Sequence, residues 1–252
     1  MNVEFLLLAA FCAGFVDAVV GGGGLIQIPV LFSLMPGLNP ATLLGTNKLA
    51  GVWGTLAAAI NYSRRVKIRW NAALPAAVAA FGLAFAGAYL VTRLDGNVVR
   101  KALPFVLIAV ALNTFKKKAM GQMSAPCFEG PKERCLAAGV GGVVGFYDGF
   151  FGPGTGSFLV FGFVKIFGLD FLSASAAAKI VNVACNLAAL WWFWASGHLL
   201  WKIGLSMAFF NILGSLIGSR LAIAQGSEFV RKVFLVIVCL LILKTGYDAL
   251  IK

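Results

Sequence analysis

The chain has 252 residues, of which 60% are hydrophobic and only 12% charged, and its mean hydropathy is +0.92. Soluble domains carry about 25% charge, so these values exclude an ordinary soluble protein and define an integral membrane protein. The net charge of +12 does not point to nucleic acid, because the cations cluster in short loops beside apolar segments, as the positive-inside rule describes.

The N-terminus has no positive leader or small-residue cleavage site and carries Glu4, so Met1 onward is expected to be retained as the start of the first membrane segment. That segment, 3–35, is longer than a span requires and is interrupted by "GGGG" at 21–24. Apolar stretches of about 20 residues, enough to cross roughly 30 Å of hydrocarbon, follow at 41–62, 71–92 and 98–115. The longest polar stretch, 116–134, holds "KKK" at 116–118 and Arg134 and is expected as a basic cytoplasmic loop. A second glycine-broken segment, 136–168, precedes spans at 172–196, 202–223 and 229–250. The predicted fold is therefore all-α, with about eight membrane segments. The first membrane repeat covers 1–118, the basic linker 119–134 and the second repeat 135–252.

Two repeats are inferred because shifting the sequence by 131 positions, the spacing of Asp17 and Asp148, aligns "GFVDAVVGGGG" with "GFYDGFFGPGT". The register continues without a gap. Lys48 falls on Lys179, Trp70 on Trp201, Gly87 on Gly218, and the "VRK" at 99–101 on that at 230–232. Glycine-interrupted segments at matching positions of two repeats point to a binding site near the bilayer midplane, since an interrupted helix exposes backbone amides and carbonyls to a cavity. Loop cations split about 12 to 7 if the repeats are parallel and about 13 to 6 if they are inverted, which does not decide between them. The four cations of "SRRVKIR" at 63–69, absent from 194–200, favour inversion, with re-entrant broken segments.

Asp17 and Asp148 lie mid-segment, where a carboxylate costs at least about 2.5 kcal/mol unless partnered or protonated. They are candidates for proton coupling or gating. An acid at that depth would equally serve to hold a broken helix by accepting N–H bonds or pairing with a lysine. Lys48 and Lys179 sit about eight residues, hence about 12 Å, into their helices, too deep for easy snorkelling. Each needs a counter-charge, which the aspartates or an anionic substrate supply. Candidate substrate-binding residues are Gly21, Gly22, Gly23 and Gly24, then Thr46, Asn47 and Lys48 of "GTNK". The second half contributes Gly152, Gly154, Thr155, Gly156 and Ser157 of "GPGTGS", with Lys179 and Asn182 of "KIVN". Hydroxyls, closely spaced N–H groups and a positive helix end suit a small oxyanion. The bland reading of the Ser, Thr and Asn residues is interhelical hydrogen bonding. His198 and the tryptophans of "WWFW" at 191–194 are expected at an interface.

With these motifs in hand, the chain resembles the sulfite exporter TauE/SafE family, also called the 4-toluene sulfonate uptake permease family. The resemblance covers nearly the whole length and rests on "AGFVDAVVGGGGLIQIPVL" with "TNK", and on "VGFYDGFFGPGTGSF" with "AAKIVN". Thr155 departs from the small residue expected in its stretch. The resemblance implies transport of small organic or sulfur-containing anions across the bacterial inner membrane.

The expected function is a secondary transporter of a small oxyanion, driven by an ion gradient since no ATP-binding motif is present. Alternatives are an anion channel and a carrier that moves a cation on the two aspartates. An enzyme is not expected, because no nucleophile with an adjacent base, metal cluster or cofactor motif is found. The five cysteines, Cys12, Cys127, Cys135, Cys185 and Cys239, have no metal-site spacing. No cofactor or metal is therefore expected. The implied partners are a small anion and the lipid bilayer, without nucleic acid; homo-oligomer formation is left open.

Overall fold

The computed structural model describes residues 3–115 and 127–251. Among these the regular structure is all helical: α1 (Val3–Val20), α2 (Gly24–Leu34), α3 (Pro40–Arg65), α4 (Trp70–Arg93), α5 (Gly96–Phe115), α6 (Gly130–Phe150), α7 (Thr155–Phe167), α8 (Phe171–Ala195) and α9 (Trp201–Ile251). Helix α9 is kinked at Gly226, whose φ of 75° and ψ of −169° interrupt the helical backbone. Among the described residues, four helical stretches are long and apolar enough to cross a membrane by length and composition, namely α1, α4, α8 and Trp201–Val230 of α9. The helices α2 and α7 are apolar but short.

Local sequence explains several boundaries. Asn39 caps α3 by accepting from the Ala41 N–H, with Pro40 at the first helical position, where a missing donor is harmless. Asp170 caps α8 by accepting from the Leu172 and Ser173 N–H groups. Gly168 ends α7 in the left-handed region with φ 67°, and the Leu169 N–H returns to the Phe163 carbonyl. The expected linker loop is shorter than the composition suggests, since 130–134 already form the first turn of α6. A proline early in that helix is compatible with helical backbone, which is why a polar, basic stretch still folds as helix. The lysines at 116–118 and most of the linker lie outside the described residues.

The packing inverts that of a water-soluble bundle. On α4 the buried face is built from Ala72, Ala73, Ala76, Ala80, Ala84, Gly87 and Ala88, whereas Leu74, Val78, Leu83 and Leu90 face outward. Small residues let helix backbones approach while large apolar ones meet lipid, because burying Leu gains little when the surroundings are equally apolar. Glycines do the same at two crossings. A side chain at Gly87 would strike the Phe146 carbonyl of α6, and one at Gly218 would strike the Phe15 carbonyl of α1. Helix α3 is less apolar than its neighbours because its polar residues Thr46, Lys48 and Thr55 are turned into the interior.

Hydrogen bonds and close contacts fix the helix directions. Along α3 and α8, Thr42 meets His198, Gly45 meets Phe193 and Lys48 meets Asn186, so these helices run antiparallel. Along α3 and α9, Thr46 meets Leu200, Gly54 meets Ser215 and Asn61 meets Ser219, so these run parallel. Helix α2 folds back on α1: Gly23 lies against Ala13 and Asp17, and Leu31 and Met35 share an apolar cluster with Leu6 and Ala10. Helix α7 folds back on α6, with the Phe158 ring 5.4 Å from that of Tyr147 and Gly162 beside Val140.

Candidate functional site

The two hairpin tips meet each other. In the first, the Gly21 N–H closes α1 onto the Asp17 carbonyl at 2.8 Å and Gly21 adopts φ 79°. In the second, Gly152 and Gly154 adopt φ 88° and 78°, and the Tyr147 hydroxyl donates to the Pro153 carbonyl at 2.6 Å. Such backbone is cheap only for glycine. The break in "GGGG" spans Gly21 to Gly23, with Gly24 already in α2. The Ser157 N–H donates to the Gly21 carbonyl at 3.0 Å, and its hydroxyl donates to the Val20 carbonyl at 3.0 Å. Gly21 and Gly156 are packed so closely that a Cβ on either would overlap the other's backbone.

Beside the tips, the deep charges pair crosswise. Lys48 Nζ of α3 donates to Asp148 Oδ2 of α6 at 2.5 Å, and Lys179 Nζ of α8 donates to Asp17 Oδ2 of α1 at 3.0 Å and to the Asp17 carbonyl. The environments differ: the Asp148 side chain is 2% exposed and that of Asp17 15%. A buried ion pair is costly to break, because the partner left behind is an uncompensated charge. The pairs are joined by neutral groups. Lys48 Nζ also donates to Asn186 Oδ1 at 3.1 Å, Asn186 Nδ2 donates to Thr55 Oγ1 at 3.4 Å, and the single Thr55 hydroxyl proton is shared between the Gly51 carbonyl at 2.9 Å and Asp17 Oδ2 at 3.2 Å.

These groups surround a small polar cavity of about 40 Å³. Of the sequence-predicted residues, Asp17, Gly21, Gly23, Gly24, Asn47, Lys48, Asp148, Gly152, Thr155, Gly156 and Asn182 line it. The others stand back from it. Lys179 is buried behind Asp17, and Ser157 ties the tips together. Thr46 donates to the Thr42 carbonyl and accepts from the Leu200 N–H. Gly22 and Gly154 belong to the turns rather than the lining.

Five lining residues escaped the sequence reading: Gln27, Gly51, Thr55, Asn186 and Asn211. A helical signal could have found two of them. Thr55 and Asn186 each lie seven residues beyond a deep lysine, two turns along the same face. Gln27 and Asn211 had no such marker, since each is an amide set among apolar neighbours.

The helix ends outside the cavity carry structural charges. Arg69, ahead of α4, donates to both carboxylate oxygens of buried Glu133 in α6 and to the Phe128 carbonyl. The Glu133 hydrogen bond raises the Arg69 pKa above its usual value. Partial burial works to raise the Asp170 pKa, but bonds from Ser173, Ser227 and Leu172 outweigh it and hold the carboxyl below its usual value. His198 Nδ1 lies 3.1 Å from the Thr42 hydroxyl at the α8–α9 turn, and burial lowers its pKa.

Apolar outward faces, crossed interior ion pairs and a polar cavity at two helix breaks define a multi-pass helical membrane protein. The chain matches the sulfite exporter TauE/SafE family over residues 6–245. It is 40% identical over 235 residues to the probable membrane transporter protein ORF9 of Sinorhizobium sp, covering 93% of this chain and 88% of the relative. A probable membrane transporter protein of Haemophilus influenzae is 36% identical over 250 residues, covering 98% of this chain and 95% of that one. The probable membrane transporter protein YfcA of Escherichia coli K12 is 34% identical over 248 residues, covering 97% and 89%. No solved structure matches the chain. The chain belongs to the sulfite exporter TauE/SafE family and is a multi-pass membrane transporter of a bacterial membrane.

Proposed function

We propose that this transporter is a secondary carrier for a small oxyanion, a sulfur oxyanion or sulfonate, and that it is coupled to protons. The observation that carries the reading is the crossed pair of ion pairs beside one cavity at two touching helix breaks. Two lysines and two aspartates leave that group near neutrality. An arriving anion makes it negative, and protonation of one carboxylate restores the balance, so a proton travels with the substrate. Space of about 40 Å³ suits a compact ion.

We further read the chain as two inverted repeats, 1–118 and 135–252, joined by 119–134, with re-entrant hairpins α1–α2 and α6–α7 entering from opposite faces. The antiparallel run of α3 and α8 supports this, as does the parallel run of α3 and α9. On that reading one face carries Arg64, Arg65, Lys67, Arg69, Lys132 and Arg134, and the other Arg93, Arg100, Lys101 and Lys202. The richer face is then cytoplasmic. Cysteines at Gly37 and Gly197 should be labelled from the same side, opposite to one at Lys67.

Transport of labelled sulfite into liposomes tests the function. Uptake should saturate, show counterflow and rise with an imposed proton gradient. Unitary currents would instead indicate a channel. Persistence of cation transport in Lys48→Met/Lys179→Met, without anion transport in the wild type, would indicate a cation carrier.

A further inference from the structure

We propose that Gln27 reads the substrate: its Nε2 donates to an oxygen of the bound anion at the N-terminal end of α2. The inference rests on the oxyanion reading above and names the residue that recognises the oxygens. Gln27 lines the cavity and is 2% exposed, and its Nε2 is the only buried side-chain nitrogen or oxygen without a hydrogen-bond partner among the described residues. Buried amides are seldom left so.

The orientation of the amide follows from its neighbours. Asn211 Nδ2 donates to the Ala10 carbonyl at 3.1 Å and to Gln27 Oε1 at 3.2 Å. A carbonyl only accepts, so the Ala10 bond identifies the Asn211 nitrogen; Gln27 must then turn its oxygen to Asn211 and keep its NH2 for the cavity. Asn211 is itself held in a made place, since Gly14 and Gly54 leave the room that its backbone and side chain fill. Gln27 is on the first turn of α2, where the Leu25, Ile26 and Gln27 N–H groups are already bonded to the Gly22 and Gly23 carbonyls, so the side-chain amide of Gln27 is the donor left for the cavity. Lys48 lines the same cavity.

Gln27 and Asn211 are also unmatched across the 131-residue shift. The residues 131 positions from Gln27 and Asn211 are Phe158 and Ala80, and neither carries a polar side chain.

The chain has three glutamines, Gln27, Gln122 and Gln225, so protein labelled with nitrogen-15 at glutamine gives three side-chain amide pairs. Sulfite and methanesulfonate are titrated into detergent-purified protein by calorimetry and by NMR. The pair lost in Gln27→Met should shift on titration with the calorimetric Kd, and Gln27→Met should bind about 10- to 100-fold more weakly. Gln27→Glu, which keeps the acceptor for Asn211, should weaken binding too. If the wild type binds neither probe, the oxyanion reading fails and takes this inference with it. If the wild type binds but the Gln27 signal stays still, or Gln27→Met binds within twofold, Gln27 does not touch the anion and the oxyanion reading stands. Should Gln27→Met fail to fold, the wild-type titration and Gln27→Glu, whose loss identifies the pair instead, separate the same two outcomes.

Discussion

Thr55 and Asn186 stand 131 residues apart in sequence, and they touch, Asn186 Nδ2 donating to Thr55 Oγ1 at 3.4 Å. They link the two ion pairs, Asn186 accepting from Lys48 and Thr55 donating to Asp17. A change of charge at one pair is therefore felt at the other through two neutral side chains. Thr55→Val keeps the shape and removes the hydroxyl. Its melting temperature should fall by only a few degrees, as expected for a loss of about 1 kcal/mol. Its proton-driven uptake should fall about tenfold. Uptake at the wild-type rate would show that the pairs act independently.

The two aspartates are not equivalent in burial, and their variants should separate accordingly. Asp148→Asn strands Lys48 in an interior where the pair is almost wholly enclosed, at a cost of about 3–5 kcal/mol. Asp17→Asn should cost less, since its side chain is 15% exposed and the Lys179 it leaves behind, itself 1% exposed, still donates to the Asp17 main-chain carbonyl. Thermal unfolding in detergent measures both. The double variant Lys48→Met/Asp148→Leu removes the charges together and should melt nearer to the wild type than Asp148→Asn does, while transporting nothing.

Glycine at the tips and at the tight helix crossings is required by geometry, and glycine on an open helix face is not. Gly21→Ala adds a Cβ to a residue at φ 79° that already abuts Gly156, and should abolish transport and lower the melting temperature. Gly156→Ala should do the same through the same contact. Gly82 of α4 has nothing within 4 Å of an added Cβ, so Gly82→Ala should leave transport intact and raise stability by about 1 kcal/mol. Uptake assays with melting curves on the three variants check the contrast.

The helices and the deep charges were legible because hydropathy and composition act locally. A run of Ala, Leu and Val at 71–92 can only be a span, and Asp17 amid valines stands out without any knowledge of the fold. The partnership of Lys48 with Asp148 was not legible, since it depends on which helices cross, and either aspartate met the need for a counter-charge. Lys179 looked equivalent to Lys48 in sequence, yet it lies behind Asp17 while Lys48 lines the cavity. Gln27 was invisible for a different reason. Its significance lies in one unpaired nitrogen, and that is a property of its neighbours rather than of its own position in the chain.

The α8 cap should make stability depend on pH in a stated direction. The Asp170 carboxyl is held below its ordinary 3.8 by bonds that only the ionised form accepts well, including one from the Ser227 hydroxyl at 2.6 Å. A depressed folded-state pKa means that the unfolded chain takes up the proton first as pH falls. The stabilisation is therefore complete above about 3.8 and drains away as pH drops through the lower folded-state value. Asp170→Asn still caps the helix but has no charge to lose. The wild type should thus melt above Asp170→Asn at pH 6, and the gap should narrow as the pH is taken below about 3.8. A gap of constant size across that range would mean that the carboxylate charge contributes nothing and that the cap works through its shape alone.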